Sequence, residues 1–299
     1  MTTRSLSCTQ PGGTPPPGLP SPESVLGRVG GENFAVASRV LPAAARRHLL
    51  AFYGFARFTD QIGDTYGGDR LAALDWLEEE THRALSGPSG RAHPLVGPAV
   101  ESVVRLGIDP QPLFDLIEAN RRDQLLHTYA DFETLVGYCR LSANPVGRLV
   151  LGAFGYCDHE RLALSDAICT ALQLIEHWQD VREDAEAGRI YLPAEDLERF
   201  GVGTVDLAGP PPASPALRSL MAFEVARART WMDLGAPLVA MLGGRARWAV
   251  VGFVAGGRAA LDDLARRDFD CLVRPGRPAG RSLARNLVLT ARSRRGEAA

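Results

Sequence analysis

Residues 172–193 read LQLIEHWQDVREDAEAGRIYLP, and the placing of the acids in this stretch decides the fold. Glu176, Asp180 and Asp184 recur at steps of four. On a helix such residues share one face, each a turn beyond the last, so the three carboxylates form a column. Arg182 and Glu183 point elsewhere. The same helix is expected to begin near residue 160 and to run to 187. Its first half, LALSDAICTALQLI (162–175), is largely apolar. A helix apolar around much of its circumference belongs in the middle of a bundle. Its carboxylates then enter from the core side or open onto a cavity.

A second pair stands in FTDQIGDTYGGD (58–69), directly after LLAFYGFARF. Asp60 and Asp64 are also four apart and stack on one face. Like charges at this spacing repel on an ordinary surface. A divalent cation removes that objection, because hard cations want several oxygen ligands. Asp75 and Glu79 share the spacing in LDWLEEE and are expected on a solvated face. Two carboxylate columns in apolar helices suit diphosphate chemistry. Mg²⁺ binds through a few carboxylates plus substrate phosphates, and it makes a diphosphate a good leaving group. Arg57 lies three residues before Asp60 and Arg189 just after the second column, both placed to bond phosphate oxygens. A Walker loop and a G-x-G-x-x-G turn are missing, as are H-E-x-x-H and G-x-S-x-G.

Helical periodicity extends over the rest of the chain from about residue 23. The expected helices are 25–38, 43–66, 69–86, 95–107, 111–127, 131–140, 144–156, 160–187, 214–242, 245–267 and a shorter one near 280–293. The breaks GPSGRAHP, GIDPQP, LPAEDLERFGVG and GPPPASP carry Gly and Pro. Segment 202–215 is the best internal loop, but it separates no change of composition. One all-α domain over 23–275 is therefore expected, a helical bundle. A Pro/Gly-rich tail over 1–22 is expected to be disordered, and 276–299 is expected to be a basic C-terminal helix or tail.

Charge and cysteine usage narrow the function. The 299 residues carry 33 basic and 35 acidic side chains, net −2, which argues against nucleic-acid binding. Every basic residue is Arg. The five cysteines (8, 139, 157, 169, 271) form no C-x-x-C pair and read as thiols of a reducing cytoplasm. Cys157-Asp158-His159-Glu160 is metal-like in composition, but it is expected at a helix–helix turn. No secretory signal is expected. WAVVGFVA (248–255) falls far short of the roughly 20 residues of a membrane span.

The stretch YGFARFTDQIGD (53–64) resembles the Y-x-F-x-R-x-x-D-D-x-x-D motif of the squalene/phytoene synthase family. Residues 172–193 are similar to its L-Q-L-x-N-x-x-Q-D-x-x-x-D-x-x-x-G-R-x-Y-L-P, and YCRLSANPVGRLVLGAFG (138–155) to its Y-C-x-x-S-A-x-P-V-G segment. The likeness covers roughly residues 30–270. ENFAVASRVLP (32–42) looks like the opening of the bacterial hydroxysqualene synthase branch. The resemblance implies an isoprenoid synthase-type helical bundle around a central cavity. It implies a Mg²⁺-dependent reaction on presqualene diphosphate: diphosphate loss, cation rearrangement and capture by water to give hydroxysqualene, in squalene and hopanoid biosynthesis. A separate presqualene diphosphate synthase and a flavin reductase are the implied companions. Two alternatives stand beside it. One is a head-to-head condensing synthase making presqualene diphosphate or phytoene from farnesyl or geranylgeranyl diphosphate. The other is a non-catalytic member acting as an assembly factor.

Carried onto this chain, the resemblance makes Asp60, Asp64, Asp180 and Asp184 metal ligands, with Glu176 beside them. Arg57, Arg189, Tyr191 and Gln179 are assigned to the diphosphate. Phe34, Tyr53, Phe55 and Phe58 offer ring faces to a cation, and Tyr53 is counted as catalytic. Asn33, Phe34, Ser38, Phe55, Tyr138 and Ser142 are assigned to the pocket. His127 and His177 lie next to site segments and are expected to be ordinary histidines. There are three departures. Gln61 stands where the family carries a second Asp, Glu176 where it carries Asn, and Thr128 where relatives often have Arg. The first two conserve charge, so Glu176 is expected to compensate for Gln61. The basic C-terminal stretch allows a peripheral contact with the inner face of the membrane.

Overall fold

In the computed structural model the described residues are 13–27, 43–87, 92–273 and 280–292. The expected helix 25–38 lies mostly outside them, as do Cys8, Asn33, Phe34 and Ser38. Among the described residues the regular elements are all helices: α1 (Pro22–Leu26), α2 (Ala43–Asp64), α3 (Arg70–Ser86), α4 (Gly97–Leu106), α5 (Gln111–Asp123), α6 (Phe132–Ser142), α7 (Asn144–Ala153), α8 (His159–Gln179), α9 (Val181–Glu186), α10 (Ala194–Phe200), α11 (Thr204–Leu207), α12 (Pro215–Gly235), α13 (Leu238–Met241), α14 (Gly244–Arg266) and α15 (Gly280–Arg292). Side-chain caps start several of them. Asp69 accepts from the Ala72 N–H (3.0 Å), Asp131 from Thr134 (2.7 Å), Asp158 from Arg161 (3.1 Å) and Ser214 from Leu217 (3.2 Å). Asp158 is thus a helix cap, which explains the acid in Cys157–Glu160 without a metal.

The core is split in two. One half gathers buried residues of α8, α12 and α14, among them Leu174, Trp178, Leu217, Met232 and Val254. The other gathers Phe55, Phe58, Ile62, Leu74, Leu77, Leu113 and Ile117 of α2 to α5. Helix α7 joins them, with Leu151 in the first and Leu149 and Val150 in the second. Helix α8 packs on α12 and α7, and α2 packs on α4, α5 and α7. The two carboxylate-bearing helices are therefore held on either side of α5, α6 and α7.

Several boundaries differ from expectation. The helix foreseen over 160–187 breaks at Asp180, whose φ and ψ are −109° and 14°. The pitch is nearly kept, since Asp184 N–H still donates to the Asp180 carbonyl (2.8 Å). The helix foreseen over 214–242 ends at Gly235, just before Pro237, which has no N–H to continue it. LPAEDLERFGVG, read as a break, contains α10. Its Pro193 is the residue before the helix and a compatible place for proline. Residues 13–21 of the expected disordered tail lie against the bundle instead. The Gly13 carbonyl accepts from Trp76 Nε1 (3.2 Å), and the Pro17 carbonyl from the Tyr66 hydroxyl (3.0 Å). Prolines lower the entropy lost on ordering such a strap.

Candidate active site

Four helix faces converge on one polar cavity of about 320 Å³. Helix α2 contributes Arg57, Asp60 and Asp64. Helix α5 contributes Leu116, Ala119, Asn120 and Asp123. Helix α6 contributes Tyr138 and Ser142. Helix α8, with its continuation α9, contributes Gln173, Glu176, His177, Asp180 and Asp184. Each set follows the i, i+3, i+4, i+7 pattern of one helix face. Arg189 and Tyr191 complete the wall. Gly188, at φ 80°, turns the chain out of α9 toward Arg189, a conformation that favours glycine. The segment beyond it is fastened to the stretch between α5 and α6. Ile190 N–H donates to the His127 carbonyl (2.8 Å) and Ala194 N–H to the Tyr129 carbonyl (2.9 Å).

Both expected columns thus face one space. Six carboxylates (Asp60, Asp64, Asp123, Glu176, Asp180, Asp184) stand against two guanidinium groups, Arg57 and Arg189. The ion pairs between them are loose: Arg57–Asp60 at 3.9 Å and Arg189–Asp64 at 3.7 Å. Asp60 is enclosed by protein, yet 42% of its side chain is open to the cavity. Burial, with repulsion from Asp64, pushes its carboxyl up to about 6. Burial likewise pushes Asp123 and Asp184 up to about 6, against the pull of Arg189 on both. Glu176 is raised too, by burial and by Asp180. The site is short of positive charge. Its donor set is hard oxygen, which fits a divalent cation of the Mg²⁺ kind. Among the described residues no three acidic, histidine or cysteine side chains converge enough to hold an ion by themselves.

Asp123 is the acid that sequence reasoning missed. It accepts a hydrogen bond from the Tyr138 hydroxyl (2.8 Å). Asn120, three residues earlier, donates to Asp60 Oδ1 (3.3 Å). The signal was present: Leu116, Ala119, Asn120 and Asp123 share a face of α5 that turns polar at its C-terminal end. Gly63 explains how α5 comes so close, because a Cβ at this position would collide with the Asn120 amide. His177, expected to be ordinary, lines the cavity. Its ring stacks on Tyr191 at 3.6 Å, and burial beside Arg189 pushes it down to about 3, so it stands neutral. Its Nε2 meets the Gln173 amide (3.1 Å). Tyr129, Tyr138 and Tyr191 pack ring to ring behind it, with centroids 5.6–5.9 Å apart.

Other assignments move. Phe55 and Phe58 face the N-terminal core, where Phe58 stacks on His93 at 4.7 Å. They lie on the face of α2 opposite Arg57, Asp60 and Asp64. Gln61, four residues after Arg57 and three before Asp64, lies between the two faces, buried and not among the residues that line the cavity. Glu176, expected to compensate for Gln61, does line the cavity. Gln179 does not line the cavity, and His127 and Thr128 are exposed. Arg182 pairs with Glu186 (2.9 Å) on the surface, as expected.

Two apolar chambers share wall residues with the polar cavity. One, about 180 Å³, shares Arg57 and Asp60 with it and is lined by Leu49, Phe52, Tyr53, Ala56 and Leu149. The other, about 240 Å³, shares Ser142, Gln173 and Glu176 and is lined by Leu151, Ile168, Leu172, Val250 and Phe253. Val146 and Val150 of α7 belong to both and form the partition.

Comparison with known proteins agrees with this architecture. A family model described as squalene/phytoene synthase matches residues 28–285. A hydroxysqualene synthase of Rhodopseudomonas palustris is 36% identical over 213 residues, which is 70% of each chain. A phytoene synthase of Arthrospira platensis is 30% identical over 258 residues, 80% of this chain and 81% of that one. The crystal structure of squalene synthase HpnC from Alicyclobacillus acidocaldarius is 42% identical and superposes with a TM-score of 0.76, covering 82% of this chain and 92% of that one. A dehydrosqualene synthase solved in complex with ligand, 21% identical, shares the fold at a TM-score of 0.77 over 90% of this chain and 94% of that one. With both carboxylate columns facing one cavity inside this helical fold, the chain belongs to the squalene/phytoene synthase family.

Proposed function

We propose that the protein converts presqualene diphosphate to hydroxysqualene, with Mg²⁺ as cofactor. The observation that carries the reading is one carboxylate-lined cavity with two separate apolar chambers. A diphosphate bearing two hydrocarbon arms fills such a space, its charged head between α2 and α8 and one arm on either side of Val146 and Val150. The relatives named hydroxysqualene synthase favour this substrate.

Asp60, Asp64, Asp180 and Asp184 hold the metal together with the substrate's phosphate oxygens, and Glu176 and Asp123 stand beside them. Bound there, Mg²⁺ neutralises the diphosphate and makes it a better leaving group. Arg57 and Arg189 bond the phosphate oxygens; the Arg189 Nε is buried without a partner among the described residues, as a donor reserved for ligand would be. Tyr191, stacked on His177, keeps the segment behind Arg189 in place. The apolar walls exclude water until the cation has rearranged, since early quenching gives other alcohols. Tyr53 presents its ring beside the Asp60 end of the cavity, where a cation would benefit from it. A cytoplasmic location and separate enzymes supplying presqualene diphosphate and reducing hydroxysqualene complete the reading.

A condensing synthase is the second reading, because two chambers equally admit two separate prenyl chains. The test is incubation of the purified protein with presqualene diphosphate and, separately, with farnesyl diphosphate, with Mg²⁺ or with chelator, followed by mass analysis. Hydroxysqualene from presqualene diphosphate, formed only with the metal, is the expected result. Presqualene diphosphate formed from farnesyl diphosphate would move the protein to the condensing reading. No turnover of either would overturn both.

A further inference from the structure

Helix α15 is amphipathic in the inverted sense. Its polar residues face the protein: Asn286 and Thr290 are 5% and 1% exposed. Asn286 and Ser282 each donate to Asp262 Oδ2 (3.0 Å) on α14, and Thr290 accepts from Arg258 (3.3 Å). Ala291 packs against the core, whereas Leu287, Val288 and Leu289 face outward, at 37%, 49% and 56% exposure. A surface helix normally buries that face. The C-terminal end of α15 lies beside the first turns of α14, where Arg247 donates to the Ala291 carbonyl (2.7 Å). The next residue, Trp248, is 63% exposed, and Arg245 close by is exposed as well. Residues 274–299 contain seven arginines and one acid, Glu297.

We propose that α15, with Trp248, Arg245 and Arg285, docks this protein on an anionic lipid bilayer. The outward Leu-Val-Leu face enters the boundary between headgroups and acyl chains. Indole rings prefer that depth, with the apolar body in and the N–H wet. Arg245 and Arg285, both exposed, meet anionic headgroups, at about fivefold in affinity for each one near the surface, with Arg285 also paired to Asp262 (2.6 Å). A second copy of the chain is the weaker occupant. A stable protein interface takes roughly 20–30 residues a side, and here a 13-residue helix offers three aliphatic side chains and α14 adds one ring. Helix α14 also supplies Val250 and Phe253 to an apolar chamber, so the docking surface and the chamber wall share one helix. The proposal stands on this surface alone and does not depend on which diphosphate is turned over.

The experiment is co-sedimentation of the full chain with vesicles of phosphatidylcholine alone or mixed with phosphatidylglycerol. Binding to the mixed vesicles, weakened by salt and accompanied by a blue shift of emission that Trp248→Phe removes, is the expected result. The double variant Val288→Asp, Leu289→Asp should bind at least tenfold more weakly. Val288→Ser, Leu289→Ser, uncharged and on the exposed face, serves the same comparison should the acidic pair melt early. Absence of binding by the wild type, or equal binding by folded variants, overturns the proposal. So does a dimer by light scattering that Leu289→Asp dissociates, which would assign the face to a second copy.

Discussion

Replacing Asp184 with asparagine should stabilise the ligand-free protein at pH 7 while abolishing turnover. Burial, reinforced by Asp180 and Glu176, pushes this carboxyl from 3.8 to about 6. At about 1.4 kcal/mol per unit, that is roughly 3 kcal/mol against ionisation. Its side chain is only 18% exposed, so little of this is screened directly. Water in the cavity and the favourable first-turn position in α9 reduce what can be recovered to about 1–2 kcal/mol. Because the native carboxyl binds its proton more tightly than the unfolded one, wild-type stability falls as pH rises from 3.8 to about 6. The variant lacks that fall. Its advantage should be full above about pH 6 and vanish near pH 4. Melting in chelator at pH 7 should show a rise of roughly 2–8 °C. Added Mg²⁺ and inorganic diphosphate should raise the melting temperature of the wild type and not of the variant. An unchanged or lower melting temperature in chelator at pH 7, or an equal gain at pH 4, would refute the reasoning.

Further outcomes follow from particular contacts. Gly63→Ala should lower turnover at least tenfold, because its methyl displaces the Asn120 amide that donates to Asp60; steady-state kinetics on a protein with an intact far-UV spectrum checks it. Tyr138→Phe leaves the Asp123 carboxylate without its hydroxyl donor and should cost about 1.5–3 kcal/mol in urea unfolding. Away from the site, Arg227 lies between two buried acids, Asp196 (2.8 Å) and Glu224 (3.2 Å). Arg227→Met should cost about 3–5 kcal/mol, whereas Glu224→Gln should cost under about 1 kcal/mol at pH 7, since burial already pushes that acid up to about 8 and keeps it protonated.

What was legible in the chain was what depends on helical period. Steps of four placed Asp60 over Asp64 and ran Glu176, Asp180 and Asp184 down one face, because side chains on a helix repeat every 3.6 residues whatever surrounds them. The same arithmetic puts Gln61 about 100° round the helix from Asp60, between Arg57 and Phe58, although a motif match ignores faces. Short elements were less legible. Helix α10 lies within a Pro-led stretch that reads as a loop, and it forms where Asp196 meets Arg227 of α12. The break at Asp180 has no proline or glycine to announce it.

By itself, then, the sequence determined that this is an all-α chain with two carboxylate columns and the motifs of one family. Local spacing and composition are enough for that. The tertiary structure alone decided that the columns face one cavity, and that Asp123 joins them from α5. It decided that His177 leans on Tyr191, and that α7 divides the apolar space in two. It also turned the aliphatic face of α15 outward, against the usual sense. Each of these depends on residues far apart in the chain, and what brings them together is the packing of whole helices, which no local pattern records.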